Sequence, residues 1–123
     1  VSNKRESRCY WEHRENLGDH MFKVVGLLKR PEGMNMEEFK TWWLEEHAPK
    51  VKQWPGLVKY HINLSITGDQ DYDGMAEVWF EDRESMESIF NKPEGKRARQ
   101  SATGGSGKIV IFLTEEHVMV SDS

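Results

Sequence analysis

Apolar and polar positions begin to recur with a regular period at Met21, and from there the period changes several times along the chain. Phe22 to Lys29 (FKVVGLLK) is β-rich and almost continuously apolar, which predicts a strand buried on both faces. Pro31-Glu32-Gly33 ends it with turn chemistry. Asn35 is a good helix N-cap, and Glu38 stands three residues later in a capping-box arrangement. Met36, Phe39, Trp43 and His47 then follow spacings of 3, 4 and 4, one face of a helix. Pro49 disfavours helical geometry at Ala48 and predicts the helix end there, with His47 in the last turn of the buried stripe.

Trp54-Pro55-Gly56 is the next stop. Leu57 to Ile66 alternates, with Val58, Tyr60, Ile62 and Leu64 on the face expected to look towards the helices, and Lys59, His61 and Asn63 on the other. After an acidic loop from Gly68 to Gly74, Met75 to Glu81 alternates again, Ala76, Val78 and Phe80 opposite Glu77 and Trp79. Asp82 caps a second helical stretch whose apolar side is Met86, Ile89 and Phe90. Pro93 restarts it towards Ala102, and Gly104 to Gly107 ends it. Lys108 to Leu113 is the last strand.

The predicted order is β-α-β-β-α-β, an α+β ferredoxin-like domain over residues 21–120 with a four-stranded antiparallel sheet. Right-handed crossovers put both helices on one sheet face. The opposite face is left bare, carrying Lys59, His61, Asn63, Glu77 and Trp79. His61 and Glu77 read as a cross-strand polar pair there. Water against Trp79 is unfavourable, so a second copy stacked sheet on sheet is expected to cover it. Residues 1–20 mix charges without a sustained apolar period and read as a flexible polar extension.

Composition narrows the classes. At 123 residues the chain fits one domain, and a net charge of −4 gives it no pull towards nucleic acid or anionic lipid. No apolar run approaches the ~20 residues of a membrane span. Without the apolar core of a signal peptide, a cytoplasmic location is the default. The single cysteine, Cys9, allows no internal disulfide or multi-cysteine metal site, and neither metal nor cofactor is expected. Five tryptophans are many for this length and suggest an apolar cavity or a buried subunit contact.

The segments KRPEGM, EEHAPK, WPGLVKY, AEVWFED and FLTEEH, in this order and spacing, resemble the EthD family of the dimeric α/β-barrel superfamily. The resemblance spans about residues 22–119. It implies a homodimer built by stacking two sheet faces, and activities such as cofactor-free isomerases, polyketide cyclases or dehydratases, and monooxygenases on small aromatic or lactone substrates. Within the family the chain is similar to methylmuconolactone methylisomerases, whose pocket histidine and tyrosine match His47 and Tyr60. Those enzymes also use pocket cysteines, one in the third strand, where Val78 stands here.

His47 and Tyr60 are therefore the candidate catalytic residues, with Phe39, Trp43, Ile62 and Val78 as the expected substrate pocket. A histidine titrates near neutrality and can move a proton in either direction. A buried tyrosine hydroxyl can stabilise a developing oxyanion. The bland readings are a histidine that caps a carbonyl and a core tyrosine with its hydroxyl at the rim. Lys92, Lys96, Arg97 and Arg99 form a basic run read as a solvated helix face, with anion binding as the alternative. The expected function is a cofactor-free isomerase, cyclase or dehydratase on a small hydrophobic molecule. The alternatives are a non-catalytic dimeric binder or accessory protein of a degradation pathway, and a cofactor-free monooxygenase.

Overall fold

The computed structural model describes residues 22–68, 70–105 and 107–121. The extension over residues 1–20, with Cys9, lies outside them. Strand β1 (Phe22–Lys29) leads to helix α1 (Met36–Thr41), a π-helical segment (Trp42–His47) and helix α2 (Ala48–Val51). Strands β2 (Leu57–Leu64) and β3 (Gly74–Phe80) follow, then helix α3 (Arg83–Glu87), a 3₁₀ turn (Ser88–Phe90), helix α4 (Pro93–Gly105) and strand β4 (Lys108–Glu115). The strands form one antiparallel sheet in the order β2-β3-β1-β4. This is the ferredoxin-like βαββαβ arrangement that the hydrophobic pattern predicts.

The capping box at Asn35 is complete: its side chain accepts from the Glu38 backbone at 2.8 Å, and Glu38 accepts from the Asn35 backbone at 3.0 Å. The helix does not stop at Ala48. It runs on through Pro49 to Val51, because the turn before the proline widens to π geometry and the Ala48 N–H bonds Trp43 O, five residues back. Proline lacks the N–H an α-helix needs and its ring crowds the carbonyl four residues back. A π turn relaxes both demands and adds one residue to the buried face.

One sheet face packs on the helices. Val24, Val51, Trp54, Val78, Phe80, Met86, Ile89 and Ala98 form one apolar cluster. Leu28, Phe39, Trp43 and Ala102 form a second. Three expectations change. Val58 is exposed, because a bulge between Leu57 and Lys59 turns it off the dry face. Phe90 is 60% exposed and does not join the core. Trp79, expected bare, is only 5% exposed within a single chain. Its register partners Lys59 and Lys23 lay their ammonium groups 4.1 and 4.8 Å from its ring, His61 meets it edge-on, and its indole N–H donates to Glu116 just beyond β4.

The open part of that face lies elsewhere. Register aligns Met75, Leu27 and Val110 in one row, and Val25 and Phe112 in the next. Phe112 is half exposed. His61 and Glu77 are register partners as expected, but Glu77 accepts from Lys23 and Asn63, each at 3.0 Å.

Candidate active site

A cavity opens between the sheet and the helices because four facing positions are small. Gly26 and Ala76 are register partners on the sheet, and Ala98 and Ala102 are one turn apart on α4. A Cβ added at Gly26 would meet nothing closer than 3.7 Å, so space and not backbone geometry distinguishes this position. The cavity is small, about 50 Å³, and opens to solvent at its mouth. His47, Tyr60 and Val78 all line it. Phe39, Trp43 and Ile62 stand behind it in the second apolar cluster.

His47 closes the π-helical segment and is 5% exposed. Its ring stacks on Trp42, centroids 5.1 Å apart and planes 9° apart. Its Nδ1 lies 2.8 Å from Ser101 Oγ on α4, which leaves Nε2 for the cavity. Burial, aided by the nearby Lys50 ammonium, pushes its pKa down to about 4. The helix-end field that would favour a charged ring is absent at His47, since the helix continues to Val51.

Tyr60 reaches the cavity from β2. Its hydroxyl oxygen accepts from Trp43 Nε1 at 3.3 Å, which leaves its own proton to donate. Burial raises its pKa to about 12, the Trp43 hydrogen bond opposing this in part. At pH 7 the site thus offers a neutral imidazole and a neutral phenol.

Behind these two groups runs one aromatic array. Phe39 stacks on Trp42 at 5.7 Å and meets Trp43 edge-on at 5.5 Å. Trp42 supports His47, and Trp43 supports Tyr60. Trp42 follows Phe39 by three residues, and the π insertion then aligns it with His47 five residues on, where the two rings stack. The sequence pattern does not single out Ser101, which holds His47 from α4. Arg99, grouped with the solvated basic run, lines the cavity. Among the described residues, no group of three or more His, Cys, Asp or Glu side chains is placed to hold a metal.

The EthD domain model matches residues 31–102, more than half of the chain. The protein belongs to the EthD family. An EthD family protein from Bacillus halodurans has a similar structure, with 27% identity, a TM-score of 0.67, and coverage of 79% of this chain and 99% of that one. A dimeric ferredoxin-like protein from Bacteroides fragilis is 13% identical, with a TM-score of 0.57 and coverage of 76% and 94%. A dimeric ferredoxin-like protein of unknown function from Jannaschia is 17% identical, with a TM-score of 0.54 and coverage of 76% and 97%. No curated protein matches the sequence. Among the described residues of this EthD protein, no helix is long and apolar enough to cross a membrane.

The low histidine pKa has a consequence for stability. The unfolded chain binds a proton at His47 near pH 6.5, and the folded one only near 4. Between these values the unfolded state holds more protons, so stability rises with pH across the window. The contribution is full above pH 6.5, is lost as pH falls towards 4, and amounts to at most about 3 kcal/mol. Denaturant titrations at pH 4.5 and 7 are expected to show this slope, and His47→Gln should remove that part of it.

Proposed function

We propose that this EthD protein is a cofactor-free enzyme that moves a proton on a small, mostly apolar carbonyl compound. Isomerisation, cyclisation and dehydration of aromatic, polyketide-like or lactone substrates fall in this class. The observation that carries the reading is that His47 and Tyr60, from different elements, line one apolar cavity, and both are neutral at pH 7.

The roles follow from chemistry. His47 Nε2 removes a proton from a carbon next to a carbonyl, and the C–H electron pair moves into the enolate. Tyr60 donates its O–H to the oxygen that gains charge. The imidazolium then returns the proton at another carbon, or to a leaving hydroxide. A ring with a pKa near 4 is a weak base, so the substrate must carry an already acidic C–H, such as one activated by two carbonyls or by vinylogy. The returning acid is correspondingly strong.

Deuterium wash-in tests this without knowledge of the pathway. Cyclic β-dicarbonyl compounds and unsaturated lactones, incubated with the protein in D₂O buffer without added cofactor, are expected to exchange the acidic C–H faster than in buffer alone. Gly26→Leu, which fills the cavity floor, should return the rate to the buffer value. Exchange that survives a filled cavity would sink the reading. Binding without exchange or product would favour the non-catalytic module.

We also propose that two copies pair through the open sheet faces, as a dimeric α/β barrel. Support comes from the contiguous Val25, Leu27, Met75, Val110 and Phe112, and from the dimeric ferredoxin-like neighbours. Light scattering at micromolar concentration should give twice the chain mass, and Phe112→Arg should give the single-chain mass.

A further inference from the structure

A neutral imidazole carries one proton, on either of its two nitrogens. With the proton on Nδ1, His47 turns a bare Nε2 to the cavity and can act as a base. With the proton on Nε2, the ring is a donor there and cannot take a proton from a substrate. What holds the ring therefore decides what it can do.

Two contacts hold it, and they fix different things. Trp42 stacks on the ring with planes 9° apart, which sets the ring plane. Stacking does not choose between the two orientations that share this plane. A half-turn about the Cβ–Cγ bond exchanges Nδ1 with Cδ2 and Nε2 with Cε1. Ser101 Oγ, 2.8 Å from Nδ1, makes that choice, because the carbon that a half-turn would put there forms no such hydrogen bond.

Ser101 reaches this position from α4, three residues after Ala98 and next to Ala102, the small residues that lie over the cavity. Its hydroxyl can accept one hydrogen bond and still donate its own proton. The side chain is only part-buried, within reach of water and of its own helix carbonyls. Accepting from Nδ1–H suits both states of a base: the neutral ring with Nε2 bare, and the imidazolium formed when Nε2 takes up a proton. In the opposite arrangement the hydrogen bond would have to reverse each time the ring became charged.

We propose that Ser101 is a positioning residue, whose hydroxyl accepts from Nδ1–H of His47 and so keeps the Nε2 lone pair in the cavity. This deepens the proposed function and rests on its reading of His47 as the base. A free histidine side chain in water favours the Nε2–H form. A serine that merely tied α4 to the π-helical segment would affect stability without imposing the opposite tautomer.

The full chain, ¹⁵N-labelled at histidine, would be followed by long-range ¹H–¹⁵N NMR at pH 7.5, where the ring is neutral. Loss of signals in His47→Gln assigns them. The unmodified protein is expected to show a protonated, pyrrole-like Nδ1 and a bare, pyridine-like Nε2. Ser101→Ala should shift His47 partly or wholly to the Nε2–H form. It should also slow deuterium exchange of an accepted compound by roughly ten-fold, in kcat more than in KM, since the base is misdirected and not removed. Ser101→Thr, which keeps a hydroxyl, should keep the Nδ1–H form. Nε2–H as the main form in the unmodified protein would overturn the inference, as would an Nδ1–H form or an exchange rate that persists unchanged in Ser101→Ala. If Ser101→Ala fails to fold, the unmodified protein and Ser101→Thr still decide. The nitrogens are read without any substrate, so a lack of exchange in every compound would count against the proposed function alone.

Discussion

Replacing His47 with Ala is expected to lower turnover of a confirmed substrate by about 10²–10⁴-fold, the range general acid–base catalysis supplies. Among the described residues that line the cavity, the His47 ring is the one group placed to take up a proton at neutral pH. Tyr60, held protonated with its pKa near 12, cannot act as a base there. The loss should fall mainly on kcat, because the base acts as the bond breaks rather than when the substrate docks. His47→Gln separates chemistry from shape. It keeps a polar side chain near Ser101 and fills most of the space beside Trp42, yet has no basic nitrogen. It should be as slow as His47→Ala while folding more stably. Any such activity of the unmodified protein should hold from neutral pH down to about 5 and then fall with an apparent pKa near 4. Full rate in either variant would remove His47 from the mechanism.

Much of this site was legible in the sequence. The reasons are periodic. Spacings of 3, 4 and 4 put Phe39, Trp43 and His47 on one buried face, and all three are buried. Alternation put Tyr60 and Val78 on the helix side of the sheet, and both line the cavity. The misses share a cause: each depends on a departure from ideal period or on a long side chain. Pro49 was read as a stop, whereas the chain absorbs it by one widened turn, which also recruits Trp42. Val58 follows the alternation on paper, and a bulge cancels it. Trp79 occupies the outer face as predicted, but lysine stems and Glu116 cover it, which pattern alone does not reveal. Arg99 looked like part of a charged run because neighbouring residues on a helix point in different directions, and only packing shows which of them turns inward. The cavity itself had a faint signal in the small residues Gly26, Ala76, Ala98 and Ala102. Their convergence depends on strand register and helix placement.

Trp43→Ala is expected to cost about 3–5 kcal/mol in denaturant unfolding, the usual price of emptying a core tryptophan site. For a domain whose total stability is on the order of 5–15 kcal/mol, that is a large share. Trp43 is wholly buried, packs edge-on against Phe39, and rests on the start of β3 at Gly74. There is no room to spare at that contact. A Cβ at Gly74 would stand 2.3 Å from Trp43 Cζ3 and 3.0 Å from Asn63 O. Gly74→Ala should therefore destabilise as well, through overpacking, by about 1–3 kcal/mol. The two changes should not add, because removing the indole relieves the clash, and the double variant should recover part of the Gly74→Ala cost. Trp43→Phe isolates the remaining role. It keeps most of the packing but deletes the N–H that Tyr60 accepts at 3.3 Å, for a cost of about 1 kcal/mol plus the lost indole area. If Tyr60 donates to an oxyanion, this variant should also slow the reaction, since the hydroxyl then loses the contact that orients it. A slowed Trp43→Phe with near-normal stability would make Trp43 a positioning residue for Tyr60. An unchanged rate would confine it to the core.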